Sequence, residues 1–500
     1  MNQFTRKDAI LHLASLLTFI ANGFAQPGNL DSSFGINGKV TTAVCTNSNA
    51  SSVALQSDGK IVAAGGSLDC ISLIRYNSDG SLDSSFGTNG IVTTPASQTF
   101  TSSVVIQPNG KIITSSGNEF GWILIRYEIN GKIDSSFGTN GEFILGGATY
   151  VTSIALQQDS KIIMAGTYSM GVWPHSYYIS LARCDSNGIV DTSFQSGTGT
   201  FDGYNAGAFS IALQPDGKII TAGKTDSNML YTPCFGIARF NNNGTPDNSF
   251  GINGHVTTAI GTFAEAFSVA IQPDGKIVAV GPSRDSVLNF TESFTIVRYN
   301  SNGSLDNSFN GNGIVITSIG TASDANAVAI QTDGKIVVSG SSSQTIALVR
   351  YNSNGSLDNS FGINGIVTNG VSTGRAIEIQ PDGKILTGGG SSSGFTLIRY
   401  LSGLEVGILN LASNSLPTLT YPNPIQSEAV LQYILNNEEC ITISLYNVLG
   451  SKVQNFITNE TRNQGVYKEV LYLDEALPPG YYLLSISNDV HSQSIKIVKQ

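Results

Sequence analysis

The 500-residue sequence predicts an all-β protein, a seven-bladed β-propeller of four-stranded blades followed by a small C-terminal β-sandwich. Two observations carry the propeller: seven ordered copies of one motif set within residues 28–402, and four short strand patterns in each copy. The third concerns residues 417–500, where the motif set stops but alternating strands continue.

Composition agrees with this reading. Only 12% of residues are charged, 55 are Gly and 40% are hydrophobic, a balance of short strands and tight turns that still buries a core. A net charge of -10, with no Lys/Arg-rich stripe, argues against a nucleic-acid partner.

Residues 1–25 read as a cleaved export signal. Arg6 and Lys7 precede an apolar run from Ala9 to Ala21, and Gly23-Phe24-Ala25 places small residues near a cleavage point. The run is short for a bilayer and no other stretch approaches its length, so no transmembrane span is expected.

Three signposts then recur in fixed order. Leu-Asp-x-Ser-Phe-Gly, or a variant, has its aspartate at Asp31, Asp83, Asp134, Asp191, Asp247, Asp306 and Asp358. Gln-Pro-Asp-Gly-Lys-Ile, or a variant, recurs at Asp58, Asn109, Asp159, Asp216, Asp274, Asp333 and Asp382. An apolar strand ending in Arg-Tyr recurs at Arg75, Arg126, Arg183, Arg239, Arg298, Arg350 and Arg399. In the fifth copy, Phe267–Gln272 reads as a first strand, Pro273-Asp274-Gly275 as a hairpin turn and Lys276–Gly281 as the return. Phe294–Tyr299 and Gly313–Ile316 supply the third and fourth. The chain begins its repeats on a fourth strand, Gly38–Thr42, and ends them on a third, Phe395–Tyr400. That phase lets the first strand complete the last blade, whereas an open solenoid would carry polar caps.

These units resemble delta-60-type repeats of β-propellers in exported bacterial proteins, a resemblance that implies an architecture and no defined activity. The third unit departs most, with Gln158-Asp159-Ser160 at the turn and Cys184 in place of the tyrosine.

After a linker at 403–416, residues 417–500 show strands at Ala429–Leu435, Ile441–Leu445, Val466–Leu473, Tyr481–Ser487 and Ser494–Val498. The motifs Tyr421-Pro422-Asn423-Pro424, Ser444–Gly450, Leu477–Tyr482 with its Gly480, and Lys496-Ile-Val-Lys499 stand in order. This segment resembles the type A sorting domain of the type IX secretion system of the Bacteroidota. The resemblance implies the secretion machinery as partner, an extracellular or outer-membrane-surface location, and attachment to anionic lipopolysaccharide or release.

Chemistry is sparse. No zinc spacing, nucleophile elbow, P-loop or dinucleotide fingerprint occurs, so neither catalysis, metal nor cofactor is expected. The Asn-Ser-Asp-Gly turns resemble calcium loops but lack the carboxylates and bidentate Glu of an EF-type site. Groups repeated in every blade follow the ring's symmetry, while a functional site normally occurs once. Arg298 with Asp306, and Arg350 with Asp358, are therefore expected to pair within or between blades, with Phe309 and Phe361 filling the space between them. The five cysteines are expected as isolated thiols, Cys45 and Cys70 being the pair placed to bond.

The variable loops, between second and third strands and between blades, all emerge on one face. The longest carry Trp173, His175, Tyr177 and Tyr178, then Phe201 and Tyr204, then Tyr231. Such aromatics suit sugar stacking or protein contact, or else cover one another. A glycan- or protein-binding module is expected. The competing reading, an extracellular polysaccharide hydrolase or lyase, needs two of the non-repeating carboxylates Asp202, Asp226, Asp285 and Glu292 to converge.

Overall fold

The computed structural model describes residues 26–403 and 418–499, except 46–47, 68–69, 96–99, 119–120, 147–149, 170–176, 196–197, 200–205, 227–231, 286–290, 344, 371–372, 392–393, 422–426, 436, 448–450, 479 and 489–491. The proposed export signal and most of the linker lie outside the described residues. Among the described residues every regular element is a strand, and the chain divides into two compact units after Gly403.

The first unit holds seven antiparallel sheets, each of four strands save the fifth, whose first strand is split in two. The sixth is representative, running Ser323–Ile330, Ile336–Ser342, Thr345–Tyr351 and Ile366–Asn369 in spatial order. Its two middle strands are buried nearly end to end, because neighbouring sheets cover both of their faces. In the fifth sheet the expected first strand begins later, at Ser268, and Phe263–Ala264 stands apart from it. The returning strand runs on to Arg284.

The turns follow from their residues. Gln272 N–H donates to Lys276 O at 2.8 Å and Gly275 N–H returns to Gln272 O at 2.9 Å, while Asp274 Oδ1 accepts from Lys276 N–H at 3.1 Å. Gly275 sits at φ +83°, where only glycine is at ease. The third unit makes the same turn with Ser160 at φ +64°.

Successive first strands touch in order: Asn49–Leu55, Phe100–Ile106, Tyr150–Leu156, Gly207–Leu213, Ser268–Ile271, Ser323–Ile330, Thr373–Ile379, and back to Asn49–Leu55. The cycle is sealed at the outer edge too. Lys39–Thr42 pairs with Phe395–Ile398, so the fourth strand of the seventh sheet comes from the other end of the repeats. A disulfide between Cys45 and Cys70 ties the residues after that strand to the first sheet. This corrects the expectation of isolated thiols: docking of Lys39–Thr42 carries Cys45 to a Cα–Cα distance of 6.6 Å from Cys70, which spacing in the chain does not foretell. Cys70 itself opens the strand Cys70–Tyr76 and is not a loop residue. Cys184, Cys234 and Cys440 form no disulfide among the described residues.

The second unit holds a three-stranded sheet, Thr418–Tyr421, Glu428–Leu435 and Gly465–Tyr472, and a four-stranded one. The latter places Lys452–Arg462, Glu439–Asn447, Gly480–Ser487 and Ser492–Lys499 side by side. One apolar cluster, with Leu431, Tyr433, Ile443, Leu445, Leu484 and Ile497, draws on both sheets. Lys452–Arg462 was not expected from sequence. Its side chains are mostly polar and exposed, and three register irregularities against its partner break the alternation that marks a strand.

Candidate functional site

Each repeated arginine closes one node. Arg298 Nε donates to Asp306 Oδ2 at 2.7 Å, and one Arg298 Nη donates to Ser353 O of the next sheet at 2.5 Å. Arg350 repeats this with Asp358 Oδ2 at 2.8 Å and with Ser402 O. Asp306 Oδ1 meanwhile accepts from the Ser308 N–H and hydroxyl at 3.0 and 2.7 Å. The arginine lies over the repeated phenylalanine, its guanidinium carbon 4.4 Å from the ring centre of Phe309 or Phe361. Phe309 and Phe361 are fully buried among side chains of adjacent sheets.

Burial opposes ionisation of Asp306. The bonds from Ser308 and Lys276 and the charge of Arg298 outweigh it and hold the carboxyl down at about 2. Breaking such a buried pair by removing one partner typically costs about 3–5 kcal/mol. The pair lies within one repeat, and the carbonyl bond reaches the next. Asp31 and Arg399 form the same node across the two ends of the repeats, at 2.7 Å.

The oxygens of the calcium-like turns serve the turns themselves: Asp79 Oδ1 accepts from the Ser81 N–H and hydroxyl at 2.9 and 2.7 Å. No group of three or more potential metal ligands occurs among the described residues.

On the loop face, Trp173, His175, Phe201, Tyr204, Tyr231 and Asp202 lie outside the described residues. Tyr177 and Tyr178 are strand residues rather than loop residues. They open Tyr177–Cys184, opposite Ser169 and Tyr168, because the aromatic run suits a pleated ladder and extends it. Tyr177 is exposed and Tyr178 half-buried.

Of the remaining carboxylates, Asp226 is buried at the end of Ile219–Asp226 and Asp285 is exposed. Glu292 meets a carboxyl that sequence reasoning passed over, Asp324 of the sixth sheet. Ser323 N–H donates to Glu292 O at 2.9 Å and fixes the approach. Burial first, then Asp324, pushes Glu292 up to about 7, against the charge of Arg284 and with a smaller push from Glu265. Arg284 Nε stands 3.7 Å from Glu292 Oε1 and its guanidinium 4.2 Å from the Phe263 ring centre, while Glu265 pairs with Lys224 at 3.2 Å. Only the fold reveals this cluster, since its members come from the fourth, fifth and sixth sheets.

In the second unit, Lys499 Nζ is buried and donates to the carbonyls of Asp474, Glu475 and Leu477 at 3.0, 3.3 and 2.5 Å. Tyr482 hydroxyl donates to Pro478 O at 2.7 Å. Gly480 begins the strand Gly480–Ser487, and Lys496 lies opposite Leu483. Tyr421 ends its strand opposite Val430, whereas Pro422, Asn423 and Pro424 lie outside the described residues.

Stacked four-stranded sheets with one node per repeat define a repeat protein of the β-propeller class. Residues 56–86, 214–250, 272–309 and 331–361 match the family described as "Domain of unknown function (DUF5122) beta-propeller". Residues 419–500 match "Secretion system C-terminal sorting domain". The chain thus carries propeller repeats of that kind and a type IX sorting domain, which directs it to the extracellular space or the cell surface.

Comparison with curated protein sequences finds no match. Among solved structures, a protein of unknown function from Dyadobacter fermentans is 12% identical with a TM-score of 0.40, over 73% of this chain and 98% of that one. PorZ, a surface component of the type IX secretion system of Porphyromonas gingivalis, is 11% identical with a TM-score of 0.39, over 90% of this chain and 59% of that one. At such scores neither likeness bears on function. No helix among the described residues is long and apolar enough to cross a membrane.

Proposed function

We propose that this chain is a closed seven-bladed propeller with a sandwich-type sorting domain, exported through a signal at 1–25, that recognises a glycan or a surface protein without catalysing a reaction. The observation that carries this reading is the contrast between the repeated and the singular residues. Every repeated Arg, Asp and Phe is committed to a node, while Tyr177 stands exposed on the face where the variable loops emerge. Aromatic side chains held by a rigid scaffold favour sugar faces and protein contacts. The test is a glycan and surface-protein binding screen of the purified protein beside its Tyr177→Ala and Trp173→Ala variants. Loss of a detected partner in these variants is expected; a partner retained at unchanged affinity by both overturns the assignment of the site.

A second reading, a polysaccharide hydrolase or lyase, draws support from the raised carboxyl of Glu292 beside Asp324, since a carboxyl held protonated near neutral pH can act as a general acid. Hydrolysis assays on the same panel, with Glu292→Gln as control, decide between the two.

A further inference from the structure

The first strands enclose a central space, and one position on each of them is singular. Six of the seven carry an extra residue that the ladder to the second strand skips. Thus Ala50 pairs with Gly65 and Ser52 with Ala64, leaving Ser51 over; Gly374 pairs with Gly389 and Ala376 with Gly388, leaving Arg375. Phe267 holds the corresponding place in the fifth sheet, just ahead of Ser268. A bulge re-aims the side chain of its extra residue. Thr152 turns to a flank, its hydroxyl donating to Ala165 O and Ala208 O at 3.1 and 2.7 Å; a bulge side chain without such a partner has the space that the cycle of first strands surrounds open to it.

The residues at that level differ around the ring. From the fourth sheet to the seventh they are Phe209, Phe267, Asn326 and Arg375. The two rings meet edge to face with centroids 5.6 Å apart, and both remain half-buried. They stand outside the hydrophobic clusters that fill the gaps between the fourth, fifth and sixth sheets. Asn326 Nδ2 donates to Gly374 O at 2.8 Å and so anchors the residue before Arg375. Arg375 itself is exposed and forms no ion pair among the described residues, while the seven arginines of the nodes are all buried and paired. Across the ring stand the small hydroxyl residues Ser51 and Thr152. One arc is therefore apolar and then cationic.

We infer that the central space binds a small organic carboxylate with an apolar or aromatic body, its carboxylate on Arg375 and its body against Phe209 and Phe267. The guanidinium fork fits a carboxylate through paired N–H donors. Two rings fixed on adjacent strands give the body a surface at little ordering cost. The site rests on closure of the ring and is separate from the exposed aromatics of the loop face, so either can fail alone.

The experiment is calorimetric titration of the full chain with 3-phenylpropionate, beside its neutral amide, on the parent protein and on Arg375→Gln, Arg375→Lys and Tyr177→Ala. Saturable 1:1 binding of the acid is expected, with the amide and Arg375→Gln each weakened about tenfold or more, the usual effect of losing a charged hydrogen-bond partner. Arg375→Lys should retain part of the affinity and Tyr177→Ala all of it. No binding of the acid overturns the proposal, and so does equal binding of the amide or indifference to Arg375→Gln. Arg375 is exposed and forms no ion pair among the described residues, so these variants should melt with the parent, which a thermal scan on each sample checks. A glycan that loses affinity in Tyr177→Ala while the acid fails to bind would refute the channel site and leave the loop-face reading standing.

Discussion

At the residue scale, the repeated charges and the singular ones obey opposite rules. Arg298 and Asp306 are legible because seven copies of a buried charge demand seven partners, and the spacing of eight residues places the partner just beyond the next turn. Glu378 is the opposite case. Its counterparts on the other first strands are Ala54, Val105, Ala155, Ala212, Ala270 and Ala329, and it has no hydrogen-bonding or ionic partner among the described residues. Burial alone pushes its carboxyl up to about 7. A carboxyl whose folded pKa lies above its unfolded value binds its proton more tightly in the fold. Its contribution is then most favourable at low pH and is lost as pH rises from about 4.5 to about 7. Glu292 adds a second step in the same window. Glu378→Ala should therefore raise the melting temperature at pH 8, leave it nearly unchanged at pH 4, and flatten the profile between. Equal shifts at both pH values would show that ionisation of Glu378 is not the cause.

At the element scale, the hairpin turn between first and second strands is the clearest sequence signal, because each residue has a separate reason to be there. The third unit tests that account. Ser160 is held at φ +64°, where Gly59, Gly110, Gly217, Gly275, Gly334 and Gly383 stand in the other units. A left-handed conformation costs a side-chain-bearing residue about 1–2 kcal/mol, partly offset by the greater freedom of glycine in the unfolded chain. Ser160→Gly should thus stabilise the protein by about 0.5–1 kcal/mol in chemical denaturation. No gain, or a loss, would mean that the serine is held by something other than its turn. The strand Lys452–Arg462 escaped prediction for the converse reason. Its exposed, polar, bulged course leaves no alternation to read, and its place comes from pairing with Glu439–Asn447. Tyr177 and Tyr178 read as loop residues because the loop's length hid how far the ladder runs.

At the scale of the whole molecule, closure is carried by contacts between sequence ends. Lys39–Thr42 fills the seventh sheet, Asp31 completes the node of Arg399, and Gly362 N–H donates to Pro27 O at 2.8 Å, where in other units that bond goes to the next repeat's turn. The Cys45–Cys70 bond fastens this N-terminal segment to the first sheet. Replacing both cysteines by serine should cost about 3 kcal/mol, the size expected for a loop of this length, and should give faster proteolysis near residue 45 than elsewhere. A reductant should mimic the double variant and leave it unaltered. Unchanged stability on reduction would show that strand pairing alone holds the seam.

The sequence by itself determined the propeller repeat, the turn chemistry and the sorting tail, since each follows from residues close together in the chain or from their recurrence. The tertiary structure alone decided that Glu292 meets Asp324 and Phe209 meets Phe267, and that the Cys45–Cys70 pair singled out from the sequence is bonded and not two isolated thiols. The physical reason is that ring closure and bulges bring together side chains from separate repeats. No local pattern encodes where a skipped residue points or which sheet it will face.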